Sequence, residues 1–118
     1  MSCCDIKVIS IPQCISQIVM PVGLPEGTYT TVLTDKFENK YNVDFEVNGD
    51  NNLIINLSSY PAGLLTKYAG VFTFEIFSGC EKVTIIQCDT EYNAIAFKFV
   101  GTDYSGVDGD TSTYTICC

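Results

Sequence analysis

Seven cysteines are the residues of this chain best equipped for chemistry. Cys3 and Cys4 are adjacent near the start, Cys117 and Cys118 are adjacent at the end, and Cys14, Cys80 and Cys88 stand singly between them. Thiolates can bind a metal ion, close disulfides or carry redox chemistry, and each use makes a demand on spacing. A structural zinc site favours two residues between cysteines, so that both sulfurs turn onto one ion; adjacent residues of an extended strand point to opposite faces. The doubled cysteines miss that spacing, and the chain has no histidine, so no metal-binding residues are assigned. Redox catalysis asks for a C-x-x-C motif or a thiol beside a cation, and neither accompanies these sulfurs. Disulfides meet a distance problem: if Cys80 and Cys88 flank one extended strand, eight residues at about 3.3 Å each hold them roughly 25 Å apart. Bridged Cα atoms lie within about 7 Å, so these two do not pair with each other. The total is odd and a cytoplasm keeps thiols reduced, which disfavours bridges between the two end pairs. The favoured reading is that the cysteines are small packing residues in a first and a last strand that lie side by side.

Other catalytic arrangements fare no better. Without histidine the chain lacks the commonest general base and with it the Ser-His-Asp and Cys-His nucleophile systems. Two facing carboxylates would suffice for glycoside cleavage, but Asp44 and Glu46 fall on the polar face of a strand, where solvation explains them. Asn48, Asp50 and Asn52 begin a calcium-loop series, yet Leu53 takes the glycine place and Ser59 the glutamate place, so a hairpin turn is the better account. Asp103, Asp108 and Asp110 form an equally imperfect set. Tyr60, Tyr68 and Tyr104 lie in expected loops and could touch a ligand such as a sugar, though loop tyrosines more often cover the end of a β domain. No catalytic, cofactor-binding or metal residues are assigned, and the chain is expected not to be an enzyme.

The elements that position these residues announce themselves by period-two alternation. In KYNVDFEVN, Tyr41, Val43, Phe45 and Val47 face one way and Asn42, Asp44 and Glu46 the other. NGDNN supplies a turn at 48–52, and LIINL follows with Leu53, Ile55 and Leu57 on one face, which makes an antiparallel hairpin. GTYTTVLTD, rich in β-branched residues, joins the KYNVDFEVN strand through the short link KFEN as a second hairpin. GVFTFEIF repeats the alternation with Phe72, Phe74 and Ile76. A turn at Ser78 and Gly79 leads to KVTIIQC, apolar on both faces and so read as one central strand. AIAFKFV places Ile95, Phe97 and Phe99 inward. Between Leu57 and Val71 a crossover is expected, in which Ser58 or Ser59 caps a single helical turn before Gly70. GTDYSGVDGD, 101–110, reads as a mobile acidic loop before the closing strand TSTYTI.

These signals describe one all-β domain spanning residues 1–118, with turns about every ten residues. An antiparallel immunoglobulin-like β-sandwich of about seven strands fits the pattern, with a small β-barrel or jelly roll as the alternative. At 118 residues the chain is long enough for one core, and 47% apolar residues mark it as a packed domain. Six basic residues against fourteen acidic ones give a net charge of -8, which argues against nucleic acid as a partner. No basic n-region with an unbroken apolar stretch begins the chain, no apolar run reaches eighteen residues, and Ser2 stands where myristoylation needs glycine. Synthesis and folding in a cytoplasm, without a membrane partner, are expected.

The run IKVISIPQCISQIVMPVGLP is apolar, punctuated by proline and longer than one strand needs. Residues 1–24 therefore read either as a first edge strand with its connector or as an arm that adds a strand to a neighbouring chain. Ile6, Val8, Ile11, Ile15 and Ile18 are the candidate protein-contact residues, and self-association is a further expectation.

Three stretches carry a resemblance: the TDKFENKY hairpin, the YPAGLLTKYAGVFTFEIF crossover and the cysteine of CEKVTIIQC. Over roughly residues 25–100 the chain resembles small virion-associated proteins of tailed bacteriophages that infect Bacteroidetes, the crAss-like group in particular. The resemblance implies a structural protein of the particle: an auxiliary capsid protein that decorates or cements the head shell, or a neck or tail component. Its partners would be the major capsid protein or other virion proteins, and its location the virion, assembled in the host cytoplasm. No cofactor is implied. A carbohydrate-binding adhesion module and a small extracellular-type domain stapled by disulfides are the readings from other classes.

Overall fold

The structure, a computed structural model, describes residues 5–12, 15–61, 64, 70–99 and 113–116. Its described strands, in chain order, are β1 (Asp5–Ile11), β2 (Gln17–Pro21), β3 (Gly27–Thr34), β4 (Lys40–Val47), β5 (Asn52–Asn56), β6 (Val71–Ser78), β7 (Glu81–Val83), β8 (Ile85–Gln87), β9 (Thr90–Phe99) and β10 (Thr113–Thr115). All belong to one sheet whose hydrogen-bonded order is β1-β9-β6-β3-β4-β5-β2-β10, with β7 on β6 and β8 on β9. The Ile86 amide donates to the Val22 carbonyl at 2.9 Å, which ties β8 to the chain leaving β2 and brings the sheet close to closure. The molecule is all-β with a nearly closed, barrel-like sheet. The small-barrel alternative fits this arrangement, and the immunoglobulin-like sandwich is not confirmed by it.

Alternation decides which face each strand buries. Val47, Leu53, Ile55, Leu57, Phe72, Phe74, Ile76, Ile95, Phe97 and Phe99 all lie in the core, as their sequence phase requires. Phe72, Phe74, Phe97 and Phe99 form an aromatic row across β6 and β9: ring centroids are 5.2 Å apart for Phe74 and Phe97, and 5.5 Å for Phe72 and Phe99, the latter pair edge-to-face. Each such side chain removed from water contributes about 1.5–3 kcal/mol, and the tilted contacts add a little more.

Two hairpins are closed by the same device. Asp35 opens the β3–β4 turn: its Oδ1 accepts from the amides of Phe37 and Asn39 at 2.8 and 2.9 Å, while Glu38 takes a left-handed conformation at φ 66°. Asn48 opens the β4–β5 turn in the same way. Its Oδ1 accepts from the amides of Asp50 and Asn52 at 2.9 and 3.1 Å, and Asn51 is left-handed at φ 63°. A short polar side chain that satisfies two turn amides is what Asp and Asn do well, and asparagine tolerates the left-handed position that follows.

Several expectations need correction. KVTIIQC is not one central strand: it breaks at Thr84 into β7 and β8, which pair with different neighbours. The cap of the turn Leu57–Ser59 is Asn56, whose side chain accepts from the Ser58 amide at 3.1 Å, not Ser58 or Ser59. The sheet is not wholly antiparallel, because β1 runs parallel to β9 and β10 parallel to β2. Among the described residues the first and last strands are not hydrogen-bonded to each other; they stand at the two ends of the order of this nearly closed sheet. The loop 101–110, with Asp103, Asp108, Asp110 and Tyr104, lies outside the described residues, as does Tyr68.

Candidate functional site

The five apolar candidates of the N-terminal run divide sharply. Ile11 and Ile18 are fully buried and Ile15 is 8% exposed, so these three belong to the chain's own core. Ile6 and Val8, on the opposite phase of β1, are 53% and 63% exposed. The parallel register sets Ile6 beside Ala94 and Val8 beside Ala96 on β9. Alanine offers nothing to rise above the sheet there, so the two larger side chains stand clear. Val71, 47% exposed and opposite Lys98, extends the apolar surface onto β6. Lys7 points the other way, its ammonium 5.4 Å from the centre of the Tyr92 ring. The outward face of β1 is thus apolar at Ile6 and Val8, on the strand that ends the described sheet order.

The second exposed apolar position of note is Phe37, 58% exposed at the tip of the β3–β4 turn, with the Lys36 ammonium 5.3 Å from its ring centre. Beneath it Asp35 is almost fully enclosed. Burial alone would raise its carboxyl, but hydrogen bonds from Asn39, Phe37 and Tyr41 outweigh that and hold it below the ordinary carboxylate value. These partners account for the carboxylate as a turn element. Asn48 is likewise committed to turn amides, which makes the series at 48–52 a hairpin turn in place of a calcium loop. Among the described residues no three acids or cysteines cluster as metal ligands would.

Of the loop tyrosines, Tyr60 is described and is buried, tilted against Phe45 with ring centres 5.9 Å apart. It covers the core and presents no surface to a ligand. Among the described residues its hydroxyl has no hydrogen-bond partner, and burial pushes it well above the ordinary tyrosine range; nearby Thr31 tempers the effect, but its own hydroxyl donates to the Val43 carbonyl. Gln87 is also buried, and among the described residues neither end of its carboxamide is partnered. Its inward phase follows from Ile85, two residues before it on β8; with apolar residues on both faces of KVTIIQC, the sequence marks neither face as the inner one.

The cysteines also depart from expectation. Cys80 is free and exposed at the β6–β7 turn, whereas Cys88 is disulfide-bonded. The reading of all seven as reduced packing residues fails at Cys88. That Cys80 and Cys88 do not pair stands, although the single strand assumed between them does not exist. Cys88 and Asp89 are the two central residues of the β8–β9 turn, at φ 52° and 61°, the mirror-image turn whose twist suits a tight hairpin. Cys3, Cys4, Cys14, Cys117 and Cys118 lie outside the described residues.

No protein-family model matches the chain, and no curated protein is detectably similar to it.

Proposed function

We propose that this chain is a non-enzymatic structural protein of a bacteriophage particle, of the auxiliary capsid type, that attaches to the head shell through the outward face of β1. The observation that carries this reading is the exposure of Ile6 and Val8 on the strand that ends an otherwise well-packed sheet. An edge strand with apolar outward side chains invites another chain, and proteins that remain monomeric usually blunt such edges with charge or proline. The net charge of -8 keeps such a protein soluble before assembly and favours a partner with a basic surface. The resemblance of residues 25–100 to virion-associated proteins points the same way. Partners would be the major capsid protein or another virion protein, with neither nucleic acid nor membrane involved. Virion surfaces are among the settings where disulfides persist, so a bonded Cys88 is compatible with such a location.

Copy counting in purified particles by quantitative protein gel tests the reading. Hundreds of copies per particle are expected for shell decoration, about a dozen would move the protein to the neck or tail, and none would remove it from the particle.

A further inference from the structure

Of the seven asparagines in this chain, Asn48 alone is followed by glycine. The order matters chemically. The backbone nitrogen of the next residue can add to an asparagine carboxamide, and glycine leaves that nitrogen with no side chain beside it to hinder the approach. The space around Gly49 is open: a carbon added there would meet nothing within 4 Å, and the residue is exposed. Among the described residues no hydrogen bond engages the Gly49 amide or Nδ2 of Asn48. The attacking nitrogen and the departing one are both unencumbered.

The oxygen of the same carboxamide is held. Oδ1 of Asn48 accepts from the amides of Asp50 and Asn52 at 2.9 and 3.1 Å. When a nitrogen adds to Cγ, negative charge gathers on that oxygen, and two fixed N–H groups at such distances stabilise it in the manner of an oxyanion hole. The β4–β5 turn thus presents its carboxamide already polarised toward attack by the residue that follows it.

We propose that Asn48 is a site of spontaneous deamidation, converted in the folded chain into the aspartate that the β3–β4 turn already carries. The Gly49 nitrogen loses its proton to water and bonds to Cγ of Asn48; the Cγ–Nδ2 bond breaks, and Nδ2 takes up a proton and leaves as ammonia. Water then opens the five-membered imide. Breaking the ring nitrogen's bond to Cγ gives aspartate in the normal chain, whereas breaking its bond to the backbone carbonyl carbon routes the chain through the side chain as isoaspartate. Aspartate suits the turn, because the Asp35 carboxylate accepts the same pair of turn amides at 2.8 and 2.9 Å. Isoaspartate lengthens the backbone next to the Val47–Leu53 pair that joins β4 to β5, and loosens the hairpin. Either product adds one negative charge to the net -8. The inference rests on no assumption about the particle.

Peptide mapping tests this. The full chain, kept folded near neutral pH at physiological temperature, would be sampled over days and digested with trypsin beside a zero-time control. Cleavage after Lys40 and Lys67 releases peptide 41–67, which holds Asn48 with Asn42, Asn51, Asn52 and Asn56, and fragmentation separates the five. A mass gain of about 1 Da is expected at Asn48, growing with time and faster at higher pH, because the attacking nitrogen forms by loss of a proton. The other four asparagines should lag by about tenfold or more, and Gly49→Ala should slow the gain at Asn48 by a similar factor. A gain led by another asparagine, a gain at Asn48 seen only in chain unfolded by urea, or equal rates in the native chain and Gly49→Ala would overturn the proposal. Asn48→Asp gives an independent reading: it should melt at or above the native Tm, and a fall of more than about 4 °C would show that the turn does not accept the product.

Discussion

A side chain at Gly23 would place its Cβ 2.7 Å from the Cβ of Ile86, closer than carbon atoms pack. Gly23 also holds φ at 67°, a left-handed conformation that costs most residues energy. Both facts arise where the chain leaving β2 meets β8 and where Ile86 donates to Val22, the contact that brings the sheet near closure. Gly23→Ala should therefore destabilise by about 2–4 kcal/mol in denaturant unfolding, from clash and strain together. Gly49→Ala, with nothing within 4 Å of its added carbon, should stay within about 0.5 kcal/mol of the native chain.

The paired turns make a second expectation. Asn48→Ala frees two amides and should cost about 1 kcal/mol. Asp35→Ala should cost more, because Asp35 also accepts from the Asn39 carboxamide and the Tyr41 hydroxyl. Asp35→Asn keeps the amide contacts and loses acceptor capacity toward those two side chains. The carboxyl of Asp35 binds its proton less tightly when folded than when unfolded. Its stabilisation is thus complete above the ordinary value near 4 and is lost as pH falls below that and through the depressed folded value. Asp35→Asn should flatten the stability profile in that acid window, and an unchanged profile would show that the carboxylate is not held as described.

Buried polar atoms without partners should be dispensable. Tyr60→Phe removes an unpartnered hydroxyl and keeps the ring on Phe45, so stability should be unchanged or rise by up to about 1 kcal/mol. Because burial raises the hydroxyl of Tyr60, its contribution is complete below about pH 10 and lost as pH rises above it, and the variant should lose that part of the alkaline decline. Gln87→Met, close in volume, should stabilise by about 1–3 kcal/mol. A loss above 1 kcal/mol in either variant would mean that the group is satisfied after all.

What could be read from the residues alone follows from the range of the forces involved. The inward faces of 41–47, 53–57, 72–76 and 95–99 are local patterns, and each side chain there lies where its alternation places it, partly or fully covered. The turns at Asp35 and Asn48 are equally local, their chemistry contained in five residues. Parallel pairing of β1 with β9 joins residues more than eighty positions apart, and nothing in either strand's own pattern encodes it. The break at Thr84 leaves no pattern, because apolar residues on both faces read the same whether the strand continues or turns. In the N-terminal run, the same apolar composition covers core residues such as Ile11 and exposed ones such as Val8; only the pairing of β1 separates them. The bond at Cys88 leaves no local signal, because a disulfide joins residues that only tertiary structure brings together.

The division within the N-terminal run separates stability from the proposed attachment. Ile18→Ala, at a fully buried position, should cost about 2–5 kcal/mol whatever the protein binds. Ile6→Ser and Val8→Ser, singly or together, should leave the fold within about 0.5 kcal/mol of the native chain.

Binding of that double variant to capsids stripped of the native protein, followed by cosedimentation, is the most direct measurement of the whole account. The native chain should saturate the shells, and the Ile6→Ser, Val8→Ser chain, equally folded by circular dichroism, should bind at least tenfold more weakly. Equal binding of the two would contradict attachment through β1, and no binding by the native chain would contradict the structural role itself.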